Sequence, residues 1–145
     1  MTYKTILVHC DAGPKVGQRL TVAAELAKRH SAHLVGVYAR PPLQAPVFFD
    51  GGLAMDSLFA AYEASADADQ ATALEAFQKA MKGRHISHEW RVTEGFIDTE
   101  LAIQARYADL LVVGQTDPDA QTPTPSDLPE AVVLSTGRPT LVVPH

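Results

Sequence analysis

The amino-acid sequence predicts an α/β protein in which helices cover both faces of a parallel β-sheet. The first observation is the run from Leu110 to Val113, four apolar residues without a polar break, which ends at Gly114. Such a run indicates a strand buried on both faces, because a strand with one wet face alternates between apolar and polar residues. The second observation is that strand-like and helix-like segments alternate along the chain, which is typical of parallel sheets with right-handed crossovers.

The first third of the chain contains two further predicted strands with a helix between them. Residues 5–8 are apolar and lead to Asp11, after which glycine and proline break the pattern. Small apolar residues recur at helical spacing across residues 15–30, and charged residues occupy the other side of this helix. The charged residues are Lys15, Arg19, Glu25 and Lys28. Residues 33–38 form the second strand, and residues 40–56 form a loop long enough to be functional or interfacial.

The middle of the chain predicts a long helix followed by a strand. Alanine is dense after Asp56 and Ser57, either of which can cap a helix that ends before Gly83. Residues 86–92 form the third strand, with alternate residues on one apolar face. Trp90 lies on that face, so we expect it in the core.

The remaining elements complete the alternation. Asp98 or Thr99 can cap a short helix before the buried strand described first. A loop rich in Asp, Pro and Thr follows that strand. Residues 126–130 have the composition of a helix start, and Gly137 that of a helix stop. Residues 140–143 form the last strand.

Composition restricts the classes of function. The chain has 145 residues, 46% of them hydrophobic, with a net charge of −5 and no basic cluster, which disfavours nucleic acid as a partner. No apolar run approaches the roughly 20 residues of a membrane span, and the N-terminal run is too short for a signal peptide. We therefore expect a cytoplasmic protein without membrane contact. Cys10 is the single cysteine, and we interpret it as a buried small hydrophobe.

The six histidines do not predict a metal site or a catalytic centre. His85 and His88 lie three apart on the predicted third strand and therefore point to opposite faces. His9 and Cys10 are adjacent and diverge for the same reason. No recognisable nucleophile motif or convergent acid and base occurs, so we expect no catalytic residues.

Three segments together resemble the universal stress protein family. They are residues 4–8 leading to Asp11, the Glu94-Gly95 pair before the helix that runs into residues 108–114, and residues 137–144. The resemblance implies one domain over residues 1–145, a Rossmann-like three-layer sandwich with strand order 3-2-1-4-5. It also implies a homodimer and a regulatory or interaction role in the stress response.

The resemblance also implies candidate ligand-binding residues. Asp11 matches the acidic residue that holds the adenosine part of a nucleotide in the family, and Gly114 matches the first glycine of the family's phosphate loop. Val37, at the end of the second strand, lies beside Asp11. Ser126 is the residue closest to the family's hydroxyl position.

The phosphate loop departs from the pattern of nucleotide-binding members, which place a second and a third glycine after the first. Those positions fall on Asp117 and Asp127, and alignment on Ser126 puts Pro125 where glycine should be. Proline has no N–H to donate, and the carboxylates would repel a triphosphate. No lysine or arginine lies between Gly114 and residue 134 to offset this. We therefore expect neither tight ATP binding nor a required cofactor.

Two alternative functions remain open. The first is a nucleotide-binding member, for ATP or AMP, whose loop uses other contacts. The second is a small-molecule binder in the cleft near Asp11 and Gly114, with residues 40–56 as its lid. Equilibrium binding of nucleotides distinguishes them.

The last strand predicts the mode of assembly. By the resemblance it lies at the edge of the sheet, where an apolar strand is an open template for pairing. We expect a homodimer through this strand, whose residues are Thr140, Leu141, Val142 and Val143. The identity of any other protein partner does not follow from the sequence.

Overall fold

The computed structural model describes residues 2–44 and 53–145, and within them the chain forms five strands and four helices. The strands are β1 (Thr5–His9), β2 (His33–Arg40), β3 (His88–Glu94), β4 (Leu110–Gly114) and β5 (Thr140–Val143). The helices are α1 (Val16–His30), α2 (Leu53–Met81), α3 (Ile97–Ala105) and α4 (Leu128–Thr136). None of the described helices is both long enough and apolar enough to cross a bilayer.

The sheet has the predicted order. All four pairings are parallel, and the strands lie in the order β3-β2-β1-β4-β5. The order reverses at β1, so the carboxyl ends of β1 and β4 border the switch point where ligands of such sheets usually lie. The Rossmann-like three-layer sandwich predicted from the sequence is thus confirmed.

The core has two layers because successive strand side chains point to opposite faces of the sheet. In β1, Ile6 and Val8 pack on one side with α1 and α2, whereas Leu7 packs on the other with α3 and α4. In β4, Val112 and Leu111 divide in the same way. This division explains the unbroken apolar runs, because both faces of each central strand are covered.

The third strand begins two residues later than predicted. Gly83 and His85 have φ values of 75° and 51°, so the chain turns here instead of extending. The first residue of β3 pairs with Leu34 of β2. The prediction that His85 lies on the strand is therefore wrong, and the argument that its side chain opposes that of His88 no longer applies.

The loop predicted for residues 40–56 is shorter at both ends. Arg40 is the last residue of β2 and pairs with Glu94, and α2 already begins at Leu53. Asp56 and Ser57 lie inside the helix and do not cap it, because the helix-favouring alanine-rich sequence extends further towards the N-terminus than a cap-based boundary suggests. The part of the predicted loop at residues 45–52 lies outside the described residues.

Two smaller predictions also change. Helix α3 begins at Ile97, with Phe96 at the N-cap and no capping side chain, so Asp98 and Thr99 lie in its first turn. Trp90 is half-buried, not enclosed, because β3 is an edge strand; its ring centroid lies 5.3 Å from that of Phe77.

Replacing Gly36 by alanine is expected to lower the free energy of unfolding by about 1–3 kcal/mol, the usual cost of overpacking. A Cβ at this position of β2 would lie 2.5 Å from Cε2 of Phe77, which is buried against the sheet. Urea unfolding measures the change. Gly17 of α1 is the matched control because a Cβ there meets nothing within 4 Å. Gly17→Ala should stabilise the helix by about 0.5–1 kcal/mol; equal losses at both positions would contradict the packing argument.

Candidate functional site

A cleft of about 160 Å³ opens at the carboxyl ends of β1 and β4. It lies between the N-terminal turn of α1 and the loop formed by residues 115–127. Its lining includes Asp11, Lys15, Arg19, Gly114 and Ser126. Pockets that enclose drug-sized ligands usually have volumes of 300–1,000 Å³, so this cleft suits a smaller ligand.

Asp11 is fixed by two donors at the end of β1. The Gly13 N–H donates to Oδ1 at 2.9 Å, and Nη2 of Arg19 donates to Oδ2 at 2.8 Å. The first contact is the local turn expected of an aspartate before a glycine. The second joins β1 to α1, and the Asp11 side chain is only 14% exposed.

Arg19 is the residue of this cleft whose position differs from the one predicted from the sequence. It was expected on the solvent side of α1, but its side chain is 7% exposed. Val16, Leu20 and Ala23 are buried in the same helix, and their spacing includes position 19 on the buried face. A buried arginine needs a counter-ion, and Asp11, at the end of the preceding strand, was the signal that could have identified the pair.

Gly114 is covered by this arginine. A Cβ at position 114 would lie 2.5 Å from Nη1 of Arg19, so only glycine leaves room for the guanidinium group in its present position. Among the described residues, two cations line the cleft, Lys15 at the N-cap of α1 and Arg19 within α1. The loop after β4, which has no lysine or arginine, contributes none.

Burial governs the ionisation of the residues around the end of β1. Burial raises the pKa of the Cys10 thiol to about 12, which agrees with its interpretation as a buried, inert side chain. Burial and the positive charge of Arg19 lower the pKa of His9 to about 4, against a smaller opposing effect of Asp11. For Asp11 itself, burial alone would raise the pKa, but the Arg19 guanidinium and His9 hold it below its usual value.

Among the described residues, four of the ten backbone N–H groups in the loop of residues 115–127 donate to the chain itself. The N–H groups of Asp119, Ala120 and Thr122 bond within the loop. The Gln115 N–H donates to β5, and positions 118, 123 and 125 are prolines without an N–H. Thr116 donates its hydroxyl to the Ser126 carbonyl, which draws the two ends of the loop together.

A second, much smaller cavity of about 10 Å³ lies on the other side of Asp11. Its lining includes His9 and Tyr38 from the sheet and Thr124 from the loop. This small cavity has room for no more than about one water molecule. Val37 lines neither cavity, because its side chain is fully buried in the core on the side of α3 and α4. Asp11, Gly114 and Ser126 are brought together around the larger cleft.

Comparisons with known proteins identify the family of this chain. The sequence matches the Universal stress protein family over residues 2–144, nearly the whole chain. The chain belongs to the universal stress protein family. No curated protein matches the sequence significantly. The family assignment confirms the resemblance inferred from the three sequence segments.

Solved universal stress proteins share this architecture. The UspA protein from Lactobacillus plantarum has 22% sequence identity and a TM-score of 0.73, with 99% of each chain covered. A universal stress protein in complex with cAMP has 21% identity and a TM-score of 0.63, covering 99% of this chain and 98% of the other. The Archaeoglobus fulgidus protein in complex with dAMP has 15% identity and a TM-score of 0.61, with 99% of each covered.

Proposed function

We propose that this universal stress protein is a regulatory or interaction protein of the stress response that does not bind ATP tightly and has no catalytic activity of its own. The observation that supports the proposal is the loop of residues 115–127, in which three of thirteen positions are prolines without an N–H and four of the remaining ten N–H groups are already bonded. Phosphate loops work by pointing N–H groups at phosphate oxygens. Here many of these groups are missing or bonded to the chain's own carbonyl and carboxylate oxygens.

Charge adds to this effect. Asp117 lines the cleft, and its Oδ1 already accepts the N–H of Asp119. A carboxylate and a phosphate about 4 Å apart repel by on the order of 1 kcal/mol in water, and by more where water is excluded. Of the two cations that the described residues place in the cleft, Arg19 is paired with Asp11, which leaves Lys15 alone to offset this repulsion.

A second candidate function is the binding of a small ligand in the same cleft. The position of the cleft of about 160 Å³ favours it, because ligands of such sheets usually lie at the carboxyl ends of the strands beside the switch point. Structural neighbours are described as complexes with cAMP and dAMP, so an adenine nucleotide with a single phosphate is the first ligand class to test. A regulatory role and ligand binding are compatible, since a ligand can shift the affinity for a partner.

Millimolar ATP with Mg²⁺ is expected to leave the melting temperature of the protein nearly unchanged, because Asp117, Pro125 and Asp127 stand where nucleotide-binding members place glycines. A ligand present at 100 times its dissociation constant would stabilise the fold by about 2.7 kcal/mol, which a thermal-shift experiment detects easily.

AMP and adenosine in parallel samples are the controls, since they report the sugar side of the cleft without the triphosphate. A micromolar dissociation constant for ATP in calorimetry would contradict the proposal. Binding of AMP alone would favour the small-ligand candidate.

A further inference from the structure

We propose that Arg19 sets the ligand specificity of the cleft, acting as an internal cation that excludes adenosine and its nucleotides by holding Asp11 and covering Gly114. This inference rests on the proposed function, because it gives the cause of weak nucleotide binding on the sugar side of the site. Arg19 determines specificity because its own side chain occupies the space that a nucleotide needs.

The first step concerns Asp11. At a switch point of a parallel sheet, an acidic side chain after a strand is the group that accepts hydrogen bonds from ribose hydroxyls. Both oxygens of Asp11 already accept a bond, one from Gly13 and one from Arg19. A ribose at Asp11 therefore competes with a charge-assisted bond, which is stronger than the neutral bond that a hydroxyl offers.

The second step concerns the space above Gly114. A glycine at the end of β4 lets a ligand approach the backbone closely, because no Cβ stands in the way. Nη1 of Arg19 lies 2.5 Å from the position that a Cβ of residue 114 would occupy. The same guanidinium group thus blocks both anchor points for a nucleotide.

The third step is the cost of moving the arginine. Its side chain is 7% exposed, and its Nε has no hydrogen-bond partner among the described residues. A ligand that takes Asp11 away would leave a buried cation without its counter-ion, which is strongly unfavourable. The arrangement therefore resists a neutral diol such as the ribose of adenosine.

An opposite role is that Arg19 attracts anions into the cleft. Its charge is compensated by Asp11, and a further carboxylate, Asp117, lines the same space. Lys15, which also lines the cleft, balances Asp117, so these four charges leave no net positive charge to attract an anion. Inorganic phosphate is the probe that separates the two roles.

The test compares wild-type protein with Arg19→Ala and Arg19→Lys by isothermal titration calorimetry with adenosine, AMP and inorganic phosphate. Adenosine should bind Arg19→Ala roughly tenfold or more tightly than wild type, because a charged acceptor becomes free. Arg19→Lys keeps a cation beside Asp11, and the retained ion pair should preserve the fold. Its single ammonium group cannot also cover Gly114. It should show a smaller gain, and it carries the test if the alanine variant does not fold.

Two further variants make the result specific. Arg29→Ala removes an exposed arginine from the same helix outside the cleft and should bind adenosine as wild type does. The double variant Arg19→Ala with Asp11→Asn should lose the gain in adenosine affinity. A merely structural effect of removing the arginine would not depend on Asp11 in this way. An absence of gain in both Arg19 variants overturns the inference. So does wild-type binding of inorganic phosphate that disappears in Arg19→Ala.

Failure of the proposed function gives a different result. If wild-type protein binds ATP with micromolar affinity, the proposed function fails. That result would also remove the exclusion of nucleotides by Arg19. Weak ATP binding with no gain of adenosine affinity in either Arg19 variant overturns the inference alone.

Discussion

Lowering the pH from 7 to 4 is expected to reduce the free energy of unfolding by about 3 kcal/mol through His9 alone. The His9 side chain is 1% exposed, and its Nδ1 has no hydrogen-bond partner among the residues that the structure describes. Burial, with the charge of Arg19, lowers its pKa from 6.5 to about 4. His9 therefore binds a proton less readily in the folded protein than in the unfolded chain.

The sign and the pH window follow from this lowered pKa. Below pH 6.5 the unfolded chain binds a proton at His9, whereas the folded protein stays neutral there down to about pH 4, so stability falls as the pH falls through this interval. Asp11 affects the free energy of unfolding at lower pH than His9 does. Its pKa is held below its usual value of 3.8, so its contribution is present above that value and is lost as the pH falls through the folded pKa.

Urea unfolding of wild-type protein and of His9→Gln at pH 7, 5.5 and 4.5 measures this contribution. The neutral variant should lose most of the pH dependence between 6.5 and 4.5, whatever its absolute stability. His85→Asn is the control, because His85 is exposed in the turn before β3 and asparagine tolerates its positive φ. An undiminished pH dependence in His9→Gln would show that the loss arises elsewhere.

Elements whose burial is complete could be predicted well from the sequence. The apolar runs of β1 and β4 indicate strands covered on both faces, and Gly137, with φ of 61°, ends α4 as predicted. These features depend on local composition and on the two periodicities of helix and strand. The family resemblance then supplied the strand order, which local patterns do not contain.

Features that depend on tertiary contacts could not be predicted in the same way. The start of β3 depends on pairing with β2 and on the turn at His85, neither of which leaves a periodic signal. Arg19 looks like one of several surface cations until the fold brings it against Asp11 and Gly114. The structure places a cleft beside Asp11, Gly114 and Ser126, but the buried cation in it was not predicted, because Arg19 lies on a different element.

We propose, as the last structural consequence, that two copies of the chain associate through β5. The two edges of the sheet differ in the way that controls such pairing. The edge strand β3 carries Glu89, Arg91 and Glu94, and charged side chains discourage pairing with another chain. The edge strand β5 has the sequence TLVV and no charge, and Val142 is 37% exposed.

The surroundings of β5 support a two-fold dimer. Val133 and Leu134 of α4, the helix before β5, are also exposed apolar residues. Pro139 and Pro144 flank β5 and limit the length of a new ladder, because neither can donate a backbone hydrogen bond. A short antiparallel pairing about a two-fold axis satisfies both constraints, and two-fold dimers are the commonest oligomers.

Val142→Lys should convert the wild-type dimer to a monomer at micromolar concentration, because it places a charge at the centre of the shared edge. Sedimentation velocity gives the mass of each species. Val92→Lys is the matched control, since Val92 is 40% exposed on β3 at the opposite edge and its substitution should leave the dimer intact. A monomeric wild type, or a Val142→Lys variant that dimerises as well as wild type, would remove this interface. Dissociation by both lysine variants would indicate a general loss of structure instead of a specific edge contact.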